Sequence, residues 1–138
     1  MVNNQFVFMP IRKLSELVKT RQVSPIELTE LFLGRLEVLA PRYNALVTLT
    51  RTRALKQAKK AEGEISASNY KGSLHGIPWG AKDLLATSGG IPTSWGAAPF
   101  KDQTFDFDAT VIKKLDQAGA VLNAKLAMIE LAGGMGYR

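Results

Sequence analysis

Glycine divides this chain. Ten of its twelve glycines lie at or after Gly72, so the front can run in long helices while the back must turn often. Glycine-rich connections are also where a backbone comes close to a ligand. Charge divides at the same place. Residues 1–71 carry 12 Lys/Arg against 6 Asp/Glu, whereas residues 72–138 carry 6 against 6. The whole net charge of +6 therefore belongs to the front, around Arg51, Arg53, Lys56, Lys59 and Lys60.

The front reads as helix, helix, strand, helix. Leu14, Leu17 and Val18 share one face of a short helix over residues 11–20. Ser24-Pro25-Ile26-Glu27 opens a second: Ser24 fits the N-cap, Pro25 the first helical position, and Glu27 a capping box. Ile26, Leu28, Leu31, Phe32, Leu36 and Leu39 follow at helical spacing, and Pro41 is expected to end the run. Residues 45–50 have the β-branched character of a strand. Residues 51–61 form a polar helix with Ala54, Leu55 and Ala58 inward, and residues 63–72 read as a loop.

The back alternates strand and helix through tight turns. Ile77–Lys82 suits a short buried strand, which Pro78 restricts to a strand start or an edge. Residues 84–106 are mostly irregular. Asp108 is expected to cap a helix over residues 109–118, with Gly119 just past its end. Residues 120–125 form a strand, and a short helix over residues 126–132 runs into Gly133 and Gly134. This alternation predicts an α/β layered fold.

Composition removes several chemistries. The 138 residues contain no cysteine and one histidine, His75. Disulfides, thiol nucleophiles, cysteine-held zinc and multi-histidine metal sites are excluded. No apolar run approaches the ~18 residues that span a bilayer. Met1–Pro10 does not look like a secretory signal, so a cytoplasmic protein is expected. G-x-S-x-G, Walker A and H-E-x-x-H patterns do not occur. Gly134-Met135-Gly136 admits a phosphate-cradling loop, but a glycine turn closing a helix is the preferred reading.

Lys82 stands in an apolar, glycine-flanked run. Desolvation lowers a lysine pKa from ~10.4, by as much as ~3–5 units at full burial, and such a lysine can act as a general base. Its neighbour Asp83 need not touch it, because consecutive strand residues face opposite ways. The plainer alternative is a strand-end lysine reaching back to water, and the residues alone favour that. Lys125, at the end of the following strand, is equally open to both readings. His75, single and in a loop, suits a structural or solvent-facing role. Trp79, Trp95 and Phe100 suit a core or an apolar pocket. The basic face of residues 51–60 lacks interleaved aromatics, so a solvated helix face is preferred to an RNA-binding one.

The run Leu74-His75-Gly76-Ile77-Pro78-Trp79-Gly80-Ala81-Lys82-Asp83 resembles the L-x-G-I-P-x-x-x-K-D signature of the amidase signature family, hydrolases with a serine–cis-serine–lysine triad. Asp108-Ala109-Thr110-Val111, Leu115, Ala118-Gly119-Ala120, Lys125 and Glu130-Leu131-Ala132 follow the family's next elements in order. Ser24-Pro25-x-Glu27-Leu28 and Tyr43–Val47 are similar to its N-terminal helices and strand. The resemblance implies that Lys82 is the triad lysine, and that Ala132, Gly133 and Gly134 border the substrate pocket. It also implies that no metal or organic cofactor is needed.

Two departures accompany it. The family's K-T-N element reads Lys125-Leu126-Ala127 here. The glycine-serine-rich segment that carries both catalytic serines lies downstream in the family, while this sequence ends at Arg138. Ser66, Ser68, Ser73, Ser88 and Ser94 do not occupy such a context. The expectation is therefore the N-terminal part of the amidase-signature fold, helices around a partial mixed sheet. It forms one partial domain over residues 1–138, a basic helical front (1–71) and a glycine-rich α/β portion with the lysine motif (72–138). Such a chain would be inactive on amides until a C-terminal segment completes it, and its unpaired edge favours self-association or a partner chain. A non-enzymatic interaction module is the alternative; nucleic acid and membrane are not expected partners.

Overall fold

The computed structural model describes residues 4–133. Four helices, α1 (Ile11–Lys19), α2 (Pro25–Tyr43), α3 (Arg51–Ser66) and α4 (Thr110–Gln117), pack around three strands, β1 (Leu46–Leu49), β2 (Pro78–Lys82) and β3 (Val121–Leu126). The sheet order is β1-β3-β2. The central strand β3 pairs antiparallel with β1 and parallel with β2. A partial mixed sheet wrapped by helices is what the family resemblance implies.

The two faces of the sheet have different covers. Val121 of β3 packs with Leu33 of α2 and with Ala54 and Ala58 of α3. Leu122 packs on the other side with Ala81 of β2 and Ile112 of α4. Alanine at positions 54, 58 and 61 lets the α3 backbone lie close to its neighbours, and all three are buried. A third cluster, including Leu14, Val18, Leu28, Ile65 and Ile77, ties α1 to α2, α3 and the entry of β2.

Local chemistry explains most boundaries. Ser24 Oγ accepts the backbone N–H groups of Ile26 and Glu27 at 3.0 and 3.4 Å, and Pro25 opens the helix. The Ser24 hydroxyl donates to Glu62 of α3. Pro41 does not stop α2; it sits in the last turn, and left-handed Asn44 ends the helix at Tyr43. A proline there removes one late hydrogen bond and leaves the rest of the helix intact. Helix α3 continues past Gly63 to Ser66, because Ile65 has a core site to fill. Pro78 begins β2, which is an edge strand, as its missing N–H requires.

Two further expectations fail. Asp108 does not cap α4: Ala109 occupies that position without a side-chain bond. The Asp108 carboxylate instead grips Arg53 with two bonds of 2.9 and 2.7 Å and accepts the Ser88 N–H and O–H at 2.8 and 3.0 Å. A guanidinium fork offers a carboxylate more than one helical N–H can. The helix expected over residues 126–132 is reduced to a 3₁₀ turn at Glu130–Ala132. Backbone pairing prevents it: Ala127 N–H donates to Ala45 O at 3.0 Å and Leu131 N–H to Trp95 O at 2.7 Å.

β3 also contains a bulge that matters below. Trp79 pairs with Leu122 and Gly80 with Ala124, which leaves Asn123 as an extra residue opposite β2. Each extra residue reverses the facing of those that follow. Ala124 and Leu126 consequently face α2, where they line a groove with Phe32, Leu36 and Gly80. Lys125 faces the other way.

Candidate active site

Lys82 ends β2 on the groove side of the sheet, the face it shares with Gly80 two residues earlier. Its side chain is exposed, and Nζ donates to Ala127 O at 2.7 Å. The withdrawal from water suggested by the apolar run is not met within these residues. β2 is an edge strand whose outer side is unpaired among the described residues.

Asp83, the next residue, is wholly buried on the opposite face. Oδ1 lies 3.1 Å from Lys125 Nζ. Oδ2 accepts the Ser94 backbone N–H at 2.8 Å and the Ser94 hydroxyl. Lys125, equally closed to solvent, donates to Thr93 Oγ1 at 2.8 Å and to Pro92 O at 3.3 Å. Burial pushes its pKa down, while the hydrogen bond and charge of Asp83 act to raise it. Lysine beside a hydroxyl has the outline of a nucleophilic dyad. Here it has no access, since Lys125, Asp83 and Thr93 are all fully buried. It is an anchoring cluster.

The same loop joins Lys82 to the turn at 130–132. Trp95 N–H donates to Asp83 O at 3.0 Å, and Trp95 O receives Leu131 N–H. Gly96, at φ +71°, passes so close that a Cβ would stand 2.9 Å from Met128 O and from Ile129 O. Ala132 and Gly133, expected at the pocket border, are exposed beside this loop, with Leu131 and Ala132 in left-handed backbone conformations. Gly134, Met135 and Gly136, and with them the phosphate-loop reading, lie outside the described residues.

His75 is elsewhere, at the opposite end of β2. It is completely buried; Nδ1 accepts the Lys71 N–H at 3.1 Å, and Nε2 faces Glu64 Oε2 at 3.0 Å. Burial lowers its pKa despite Glu64. That arrangement is structural. Ser88 and Ser94 are likewise tied to Asp108 and Asp83. Trp79 packs on the Ala81 cluster, and Trp95 meets Phe100 edge-on and Phe105 at a tilt, at 5.3 and 6.0 Å between ring centres. On the basic face of α3, Arg51 pairs with Glu37 and Arg53 with Asp108. The residues that sequence reasoning missed are Asp83, Thr93 and Ser94. A lysine at 125 inside the apolar strand 121–126 was the available signal.

The amidase family profile matches residues 27–137. The chain belongs to the amidase family. A putative amidase, AmiD, of Mycobacterium tuberculosis is 39% identical over 120 residues, covering 87% of this chain and 25% of that protein. A glutamyl-tRNA(Gln) amidotransferase subunit from Azoarcus is 40% identical over 124 residues, covering 90% and 25%. The crystal structure of native peptide amidase from Stenotrophomonas maltophilia superposes with a TM-score of 0.84 at 27% identity, over 91% of this chain and 26% of that one. This amidase-family chain thus spans about a quarter of the length of the relatives it matches. Its partial α/β fold is theirs. Among the described residues no helix is long and apolar enough to cross a membrane.

Proposed function

We propose that this chain is the N-terminal, lysine-bearing part of a cytoplasmic amidase that hydrolyses carboxylic amides by a serine–cis-serine–lysine mechanism. Both alcohols come from polypeptide beyond these 138 residues, which act as one partial domain. Lys82 takes a proton through the bridging serine and so activates the nucleophilic serine at the carbonyl carbon. Ala132, Gly133 and Gly134 border the amide. Amide transfer, the activity named for the amidotransferase relatives, is the alternative use of the same centre.

The observation that carries this reading is the placement of Lys82. It stands at the open end of an edge strand, on the face with the apolar groove, with the adjacent carboxylate locked away on the other face. A further segment laid against that edge would exclude water from the ammonium and bring an alcohol to it. The test is amide turnover. The chain alone leaves simple aryl and alkyl amides intact. Joined to a glycine-serine-rich C-terminal segment of a family member, it hydrolyses them, and Lys82→Ala abolishes that rate. Turnover that survives Lys82→Ala overturns the assignment.

A second reading has its own support. The outer side of β2 is unpaired among the described residues, and Phe8, Val38 and Tyr43 are 91%, 71% and 73% exposed. Open strand edges and exposed apolar side chains recruit other chains. The isolated chain then self-associates or binds a partner without catalysing anything. Sedimentation as a cooperative monomer at all concentrations rules against this.

A further inference from the structure

Lys82 closes β2 and Asp83 opens the turn after it, and their side chains take opposite sides, one toward the groove and one toward the loop at 92–96. The pair itself does not decide which. The bulge at Asn123 does, by turning Lys125 to the side opposite the groove. There its ammonium meets Asp83 Oδ1 at 3.1 Å, Thr93 Oγ1 at 2.8 Å and Pro92 O at 3.3 Å. Asp83 is held at every other polar atom as well. Oδ2 takes two bonds from Ser94, its N–H donates to Leu126 O at 3.0 Å, and its carbonyl receives Trp95 N–H. A residue fixed this completely leaves its neighbour a single direction, and Lys82 Nζ reaches Ala127 O.

We propose that Lys125 is a positioning residue for Lys82, acting through Asp83. Its ammonium draws the carboxylate into the 93–94 loop, which sends the Lys82 side chain to the groove face and leaves no carboxylate beside it. The proposal deepens the assignment of Lys82 as the proton-moving lysine and rests on that reading for its catalytic meaning. The rival is a pair that only stabilises the fold.

The two roles separate in a measurement of the Lys82 side chain itself. In the 138-residue chain with carbon-13-labelled lysine, cross-relaxation between Lys82 Hε and Ala127 reports the 2.7 Å contact. Lys125→Arg keeps the charge and retains this signal. Lys125→Met loses it at temperatures where circular dichroism still shows a folded chain. If Lys125→Met does not fold, Lys125→Gln, which removes the charge and keeps a polar end, takes its place; its signal is also lost. Retention of the signal in a folded Lys125→Met or Lys125→Gln variant overturns the proposal. No turnover enters this measurement, so it is separable from the function. Amide hydrolysis surviving Lys82→Ala sinks the catalytic assignment while leaving the positioning geometry standing.

Discussion

Lys125 Nζ lies 3.1 Å from Asp83 Oδ1, and neither side chain is open to water. Such a pair is costly to break and cheap to replace. Each ion has lost its hydration, and their attraction plus the hydrogen bonds from Ser94 and to Thr93 offsets that loss. Removing one partner leaves the other's charge buried with only neutral hydrogen-bond partners.

The first prediction follows from that asymmetry. Lys125→Met alone destabilises the chain by about 3–5 kcal/mol, whereas Asp83→Leu/Lys125→Met together cost far less or nothing. Urea denaturation of the two variants against the parent decides it. Equal losses in both would mean that shape, rather than the unpaired charge, sets the cost.

Arg53 and Asp108 supply the second. Their two-bond clasp joins α3 to the approach of α4, with Ser88 adding two more bonds. Arg53 is the main cause that holds the Asp108 pKa down, to about 2. The folded value lies below the unfolded one, so this stabilisation is complete above the ordinary carboxylate range near 4. It disappears as pH falls through about 2. Its size is roughly 1–2 kcal/mol after allowance for solvent screening. Asp108→Asn should remove that much at pH 7 in a denaturation experiment and flatten the acid limb between about pH 4 and 2.

His75 behaves with a different window. Burial favours its neutral form, and protonation would also disrupt the bond that Nδ1 accepts from Lys71 N–H. Glu64 pulls in the opposite direction, while Lys60 and Lys71 reinforce the lowering. The folded pKa is therefore below the unfolded ~6.5, and the unfolded chain binds the extra proton first. Thermal stability should be level above pH 7 and fall as the solution is acidified below about 6.5. Glu64 has a lowered pKa of its own and yields only in more acid solution. Glu64→Gln should steepen the loss near pH 6. A melting temperature that rises between pH 7 and 5.5 would contradict this account.

Element order was legible because punctuation lies in the residues: Ser24-Pro25 starts a helix, Pro78 admits only a strand start or edge, and Gly119 follows a helix end. Each acts over a few positions. The motif around Lys82 was legible for the same reason. What the sequence did not disclose is which lysine is buried. Both Lys82 and Lys125 sit in apolar strands, and local pattern treats them alike. The difference arises from a bulge at Asn123 and from a carboxylate in the turn after β2, neither of which leaves a local trace around Lys125. Asp108 was misread similarly: its neighbours look like a helix start, and its partner Arg53 is remote in sequence.

Glycine provides the last prediction, because two of its positions should respond with opposite signs. Gly119 has φ +80°, and a Cβ there would stand 2.2 Å from His75 Cδ2. The imidazole is fully buried and bonded through both nitrogens, so it has no free direction in which to move. Gly119→Ala combines backbone strain with overlap and should cost at least about 2 kcal/mol. Gly34, inside α2, has no atom within 4 Å of the corresponding point. There the substitution adds helix propensity without a clash and should stabilise by about 0.5–1 kcal/mol. Paired denaturation curves test both at once. A tolerated Gly119→Ala would mean that His75 is looser than its two hydrogen bonds indicate. A destabilising Gly34→Ala would mean that another surface covers α2 at that point.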